Sequence, residues 1–201
     1  MKPRFAAGAA FSAGLVFCLL SAGPGAAQPV PARVAFQIST GPTGGTEWPS
    51  GELIACLISH AVGAQRCDKS RLCGPPGLIV TARTSAGTVA NVQAVDAGTV
   101  TSGLAQSDVV AQAVAGKGAF RKDGPRKHIR VIAALFPEDV HLVAAADAKI
   151  ASVAGLKNKR VSLGAENSGN LVTARAVLEA WRVRERNLKA SFDPPDVAAQ
   201  K

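Results

Sequence analysis

From Arg33 to Ser39 (RVAFQIS) apolar and polar residues alternate, the period of a β-strand. The pattern then changes to helical spacing from about Thr46 to Ala61, with Pro49 tolerable in the first turn. A break at Gly74-Pro75-Pro76-Gly77 precedes a second strand, Leu78 to Arg83 (LIVTAR). Val89, Val92 and Val95 recur at helical intervals, and a short strand around Gly103 to Ala105 leads to a helix (VVAQAVA) for which Asp108 stands as the cap. Gly116 to Lys127 (GKGAFRKDGPRK) is predicted as an exposed loop. Two apolar runs, Ile129–Leu135 and Val140–Ala145, then predict strands on either side of Phe136-Pro137-Glu138-Asp139. The pattern closes with a short helix over Ile150–Lys157, a strand over Arg160–Leu163 and a longer helix over Ser168–Trp181. Strands alternating with helices predict a parallel sheet of the α/β class.

The first residues stand outside this alternation. Lys2 and Arg4 precede an apolar run from Phe5 to Leu20, and small residues end in Gly25-Ala26-Ala27. This is the layout of a signal peptide over residues 1–27, cleaved near Ala27, and it predicts an exported, periplasmic protein. A membrane anchor fits less well, because glycines interrupt the run and it is short for a span. A lipoprotein would use Cys18, but the bulky Phe17 before it does not suit that processing.

Composition narrows the class. Hydrophobic residues make up 47% of the 201-residue chain, too many for a disordered one. Aromatics at 4%, with no tyrosine, argue against stacking platforms for sugars or single strands. Loss of Lys2 and Arg4 with the leader lowers the formal charge from +9 to +7. The excess gathers in Lys117–Arg130 and Arg175–Lys189, which lack a series of interleaved aromatics or a reading helix, so solvated faces are expected and no nucleic-acid partner.

Export leaves Cys56, Cys67 and Cys73 in an oxidising compartment, where three thiols cannot all pair within one chain. Cys67 and Cys73 flank a polar loop without a core of its own and form the favoured disulfide, with Cys56–Cys67 as the rival. Cys56 lies in the apolar pattern LIACLI and reads as a small buried hydrophobe. The two close thiols lack a second matching pair, so no metal site is expected.

Three strand-to-helix turns share one chemistry: Ser39–Thr46, Thr84–Thr88 and Gly164–Asn170. In a parallel sheet such turns fall outside the carboxyl ends of the strands, where ligands bind. Helix N-termini offer free N–H groups and partial positive charge, and glycines let a ligand approach the backbone. Short hydroxyls add donors without filling space. One such turn is usually a cap; three together suit a small anion, a carboxylate being the simplest. No glycine–lysine–hydroxyl sequence points to phosphate. Catalysis has little support: His60 has no acidic residue at helical spacing, His128 sits in a basic loop, His141 opens an apolar strand, no serine has an elbow context, and Glu138 and Asp139 read as hinge or rim residues. No cofactor is implied.

The stretches ISTGPTGGTEWPSG, TSAGTVANVQAVDAG, GLAQSD, IRVIAALFPEDVHLV and SVAGLKNKRVSLGAENSG, in that order, resemble the TAXI family of TRAP-transporter solute receptors. The resemblance runs from about Val34 to Trp181. It implies a type II periplasmic-binding fold, a monomeric two-lobed clamp that captures a small organic acid or amino acid and delivers it to TRAP membrane permease subunits. Some members are known as bacterial immunogens. Carried over by position, the first turn contributes Ser39, Thr40, Gly44, Gly45 and Thr46, with Trp48 at a place where the family usually has an aromatic. Ser85, Gly87, Thr88 and Asn91 come from the second turn, Gln106, Ser107 and Asp108 from the third strand end, and Ser168 and Gly169 from the second lobe.

The departures are Gly155 and Asn158 in place of the usual acid and glycine, Glu166-Asn167 in place of Pro-Gly, and Asn170 in place of Thr. Family members also continue well beyond the position of Lys201. The expectation is a leader (1–27), a first lobe (28–144) and a partial second lobe (145–201). The alternative is a truncated, non-transporting exported protein or antigen that keeps mainly the first lobe.

Overall fold

The computed structural model describes residues 32–69 and 73–201; the leader read in residues 1–27 lies outside them. Strand β1 (Val34–Ser39) is the centre of a parallel sheet of order β2-β1-β3, where β2 is Leu78–Arg83 and β3 is Ser102–Gly103. Val34 stands beside Leu78 and Ser39 beside Arg83, so the two long strands pair over their whole length. On the other side Ile38 meets Ser102 and Ser39 meets Gly103, and the Leu104 amide donates to the Ser39 carbonyl at 2.8 Å.

Helix α1 (Glu47–Ile58) packs its Ala55 onto Ile38 and Val80, with Phe36, Ile54, Ile58, Leu78, Ala82 and Leu104 around them. Gly51 is what lets it lie so close: a Cβ there would run into the Thr40 side chain and stand 3.7 Å from the Ala82 Cβ. The helix ends at Ile58, three residues short of the sequence expectation, because the sheet edge competes for the next backbone groups. Ser59 turns extended, its Oγ accepts from the Val80 amide at 2.9 Å, and the His60 amide donates to the Leu78 carbonyl at 2.8 Å. Cys56 is exposed, not buried as expected, since the neighbouring Ala55 already takes the inward position. Helix α2 (Gln65–Lys69) carries Cys67, bonded to Cys73 with their Cα atoms 5.6 Å apart.

A second core lies under α3 (Thr88–Asp96) and α4 (Ser107–Ala115), where Val89, Val92, Val109 and Ala113 close over Phe120. The cap of α4 is Gln106; Asp108 sits inside the first turn, where its charge favours the helix dipole. The loop over 116–127 is less open than the pattern predicts. Phe120 is completely buried, and Arg126 lies over its ring at 5.6 Å while pairing with Asp123 at 2.8 Å and Asp96 at 3.5 Å. One large aromatic in a polar loop found a core.

The expected strands at Ile129–Leu135 and Val140–Ala145 are not formed. Ile129 touches the second core, but beyond it the chain pairs with no strand among the described residues, leaving Ile132 84% and Val143 88% exposed. A run of strand-forming residues becomes a strand only through a ladder partner, and β3, two residues long, offers little edge.

Past this ribbon, Val153–Leu156 forms a single turn of 3₁₀ helix in place of the expected longer helix. Strand β4 (Arg160–Ser162), helix α5 (Gly169–Ala180) and strand β5 (Lys189–Ser191) make a parallel unit, followed by α6 (Pro195–Ala198). Its core is Val153, Leu156, Leu163, Leu171, Leu178 and Val183. With only three residues, KAS, between Leu188 and Phe192, β5 is too short for its alternation to stand out as a strand.

Candidate functional site

The β1–α1 and β2–α3 turns are stitched together by one amide side chain. Asn91, 1% exposed, accepts at its Oδ1 from Ser39 Oγ and Ser85 Oγ, each at 2.7 Å. Its Nδ2 donates to the Thr40 carbonyl and to the Leu104 carbonyl, the latter at 2.8 Å. Thr40, fully buried, spends its hydroxyl on the Arg83 carbonyl at 2.8 Å, and the Gly87 amide donates to Ser85 Oγ at 3.0 Å. Every polar atom of this hub is used within the fold. Ser39, Thr40, Ser85 and Asn91 therefore hold the turns in place rather than presenting free donors.

Around this hub, four helices begin close together. Glu47 opens α1, Thr88 opens α3 behind Gly87, Gln106 caps α4, and Ser168 caps α5 with its Oγ accepting from the Leu171 amide at 3.1 Å. Thr88 Oγ1 donates to Glu47 Oε1 at 3.3 Å and receives the Gln106 amide at 3.4 Å. The start of α5 closes the group: Ser168 Cα would be 3.1 Å from a Cβ on Gly87, and a Cβ on Gly169 would collide with the Gln106 side chain. Gly87 also has φ +120°, a conformation that side chains disfavour, so two constraints require glycine there. The Ala90 amide donates to the Asn167 carbonyl at 3.2 Å, a further tie between these segments. Four N-termini pointing to one region sum their partial positive charges.

Two carboxylates face this region. Glu47 is half-buried, and that desolvation, reinforced by the negative charge of Glu138 and opposed by the Thr88 hydrogen bond, raises its pKa to about 7. Glu138 Oε2 accepts from Gln106 Nε2 at 3.0 Å. The other amide atom, Gln106 Oε1, is buried and has no hydrogen-bond partner among the described residues. Neither glutamate was singled out as a ligand contact from sequence. The signal available was a charged residue in the glycine-rich turn TGGTEWPSG and a pair of acids between two apolar runs.

The remaining expected contacts are more scattered. Thr46 is exposed, Gly45 closes a tight turn through its amide to the Pro42 carbonyl at 2.9 Å, and Gly44 lies against Asp196 of α6. Trp48 is half-buried, while Ser107 and Asp108 are exposed in the first turn of α4. A depression of about 320 Å³ lies elsewhere, between Glu52, Cys56 and Ala82, and an open one of about 490 Å³ lies along Arg175–Glu185. The histidines stand apart from the convergence: His60 Nδ1 is 2.7 Å from the Gly74 carbonyl, and His128 pairs with Asp96 on the surface.

Among the described residues no helix is long and apolar enough to cross a membrane, and no three His, Cys, Asp or Glu side chains group as metal ligands. The model of the NMT1-like family, a family of periplasmic-binding-protein type, matches residues 38–200. That span takes in all four helix starts, the β4–β5 sheet and the first sheet from Ile38 onward. The α/β architecture agrees with it, and the chain belongs to the NMT1-like family of solute-binding proteins.

Proposed function

We propose that this protein is the solute receptor of a TRAP-type transporter of the TAXI kind, an exported protein that captures a small organic acid or amino acid for a membrane permease. The convergence of four helix starts, three at the edge of the first sheet and one from the β4–β5 unit, carries this reading. Unpaired amide N–H groups and summed dipoles favour a carboxylate there, and the turn glycines keep side chains out of its way. Helix α5 belongs to the segment read as a partial second lobe (145–201), and its approach to Gly87 and Gln106 supports a site between that segment and the first (28–144). Gly87, Thr88, Gln106, Ser168 and Gly169 are the proposed ligand contacts, oriented by the Asn91 hub. The ordered resemblance of five sequence stretches supports the TRAP assignment, and residues 1–27 support export.

Thermal-shift screening of the purified chain against mono- and dicarboxylates and amino acids tests the reading. A ligand at a hundredfold excess over its Kd stabilises by about 2.7 kcal/mol, a shift of several degrees. A flat profile across the whole panel at millimolar concentration would remove it.

A further inference from the structure

The basic run 175–189, expected as a solvated face, folds into a more definite surface. Strands β4 and β5 are parallel, so their amino ends share one edge of that unit with the end of α5, opposite the edge at which α5 begins. Arg160 and Lys189 stand side by side as the first pair of the ladder. The Lys189 amide donates to the Lys159 carbonyl at 2.9 Å and the Asn158 amide to the Asn187 carbonyl at 2.7 Å, which draws the loops before the two strands together. Buried Leu156 and Val183 root these loops in the core and leave the cations outside. Lys159, Arg160, Arg182, Arg184, Arg186 and Lys189 are all exposed, and among the described residues none of them forms an ion pair. Of the acids in 175–189, Glu185 is taken up by Arg175 at 2.9 Å, and Glu179 remains.

Trp181 stands among these cations, closing α5 and 55% exposed. The next residue, Arg182, has φ +53°. Its amide donates to the Glu179 carbonyl at 2.9 Å and the Val183 amide to the Leu178 carbonyl at 2.8 Å, while Val183 and Leu178 meet in the core. That is the helix stop in which glycine is the ordinary residue, yet an exposed arginine holds the position. Arg182 and Arg184 also line the open depression of about 490 Å³ at the end of α5.

We propose that this edge of the β4–β5 unit is a docking surface for an anionic lipid bilayer, with Trp181 seated at headgroup level and the surrounding cations on lipid phosphates. An indole buries its apolar ring at such an interface while its N–H stays hydrated, which is why tryptophan gathers there. Guanidinium forks match phosphate oxygens, and every cation brought near an anionic leaflet adds to the attraction. Nucleic acid fits this surface less well. One exposed ring is not a stacking series, and α5 presents its carbonyl end, whose partial charge is negative. The surface lies at the opposite end of α5 from Ser168, so a chain docked through it keeps the converging helix starts away from lipid.

Residues 32–201 form a compact unit by themselves, so the test uses residues 28–201, without the apolar run that would bind lipid on its own. Sedimentation with vesicles of phosphatidylcholine, and of equal parts phosphatidylcholine and phosphatidylglycerol, measures the partition. The expected result is binding at least about tenfold stronger to the anionic vesicles, weakening as salt rises, with a blue shift of tryptophan emission that is absent from Trp181→Phe. Replacing both Arg184→Ser and Arg186→Ser should lower the partition about fivefold per charge, with melting unchanged. Replacing Arg121→Ser and Lys122→Ser removes the same charge from another exposed segment and should change the partition by less than about threefold. Equal effects of the two double variants would assign the binding to net charge alone and overturn the proposal. Equal binding to neutral vesicles, or no binding to either kind, overturns it as well. Displacement by millimolar inorganic phosphate would make this a site for the free anion, and tighter binding of a DNA duplex than of anionic vesicles would make it a nucleic-acid surface; either result also overturns it.

Discussion

Leu78–Arg83 and Ile129–Leu135 are alike in sequence, LIVTAR and IRVIAAL, yet one is a strand and the other is bare chain. In β2, Val80 is 7% exposed, paired with Phe36 of β1 and covered by α1. In the ribbon, Ile132 is 84% exposed and pairs with nothing described. Propensity is shared; the partner is not. Strand formation in this protein is decided by what stands about 5 Å away across the ladder, the spacing of paired strands, and not by the run itself.

The sharpest way to break that contrast is to put the same charge in both places. Val80→Asp buries a carboxylate without a partner and should cost about 4 kcal/mol in urea unfolding, whereas Ile132→Asp should change stability by no more than about 0.5 kcal/mol. Comparable losses from the two would mean that the ribbon is packed in solution. Hydrogen exchange gives the same contrast without mutation: amides of β2 protected, those of 131–145 exchanging near the rate of free peptide.

Next in size is the hub that joins the paired strands to the turns. Asn91→Leu keeps the volume but strands the Leu104 carbonyl and the Ser39 hydroxyl, leaving Ser85 Oγ to donate to the Thr40 carbonyl at 3.0 Å, at a cost of about 2 kcal/mol. A neutral result would show that water replaces the amide and that the turns are held otherwise.

Glu47 links the well-packed region to the ribbon, because the charge of Glu138 acts on it. Its pKa is raised from 4.5 to about 7, so the folded protein holds a proton that the unfolded chain has released between those values. The associated stability is fully present below about pH 4.5 and is lost as pH rises through 7, up to about 3 kcal/mol and nearer 2 after solvent screening. Glu47→Gln should flatten that part of the curve, and Glu138→Gln should move its midpoint toward 4.5. A curve for the Glu47→Gln variant that runs parallel to the parent's would show that another group is responsible.

The smallest expected effect concerns the helix that approaches from the later region. Ser168→Ala removes the cap of α5, worth about 1 kcal/mol, and its return by Ser168→Asp would confirm the capping role. Loss of ligand binding beyond that small change would place the Ser168 side chain in the site itself.

Much of this was legible from residue order alone. Alternation in RVAFQIS, the apolar run LIVTAR and the hydroxyl before LVTARAVL marked β1, β2 and the start of α5, because local period and capping chemistry act within a few residues. The close cysteine spacing pointed to the pair that is bonded. The turns were visible as chemistry but not as roles: Asn91 stands among the ligand contacts that the resemblance implies, and its place as the hub of the two turns shows only when α3 meets the ends of β1 and β3. The sequence by itself determined the α/β class and the positions of the glycine-rich turns, and it favoured, without deciding, the disulfide that forms. Tertiary structure alone decided that Phe120 would leave its polar loop for a core, that α1 would stop where Ser59 and His60 meet β2, and that Glu47 and Glu138 would share one electrostatic neighbourhood. Those outcomes depend on partners far away along the chain, and a pattern a few residues wide carries no record of them.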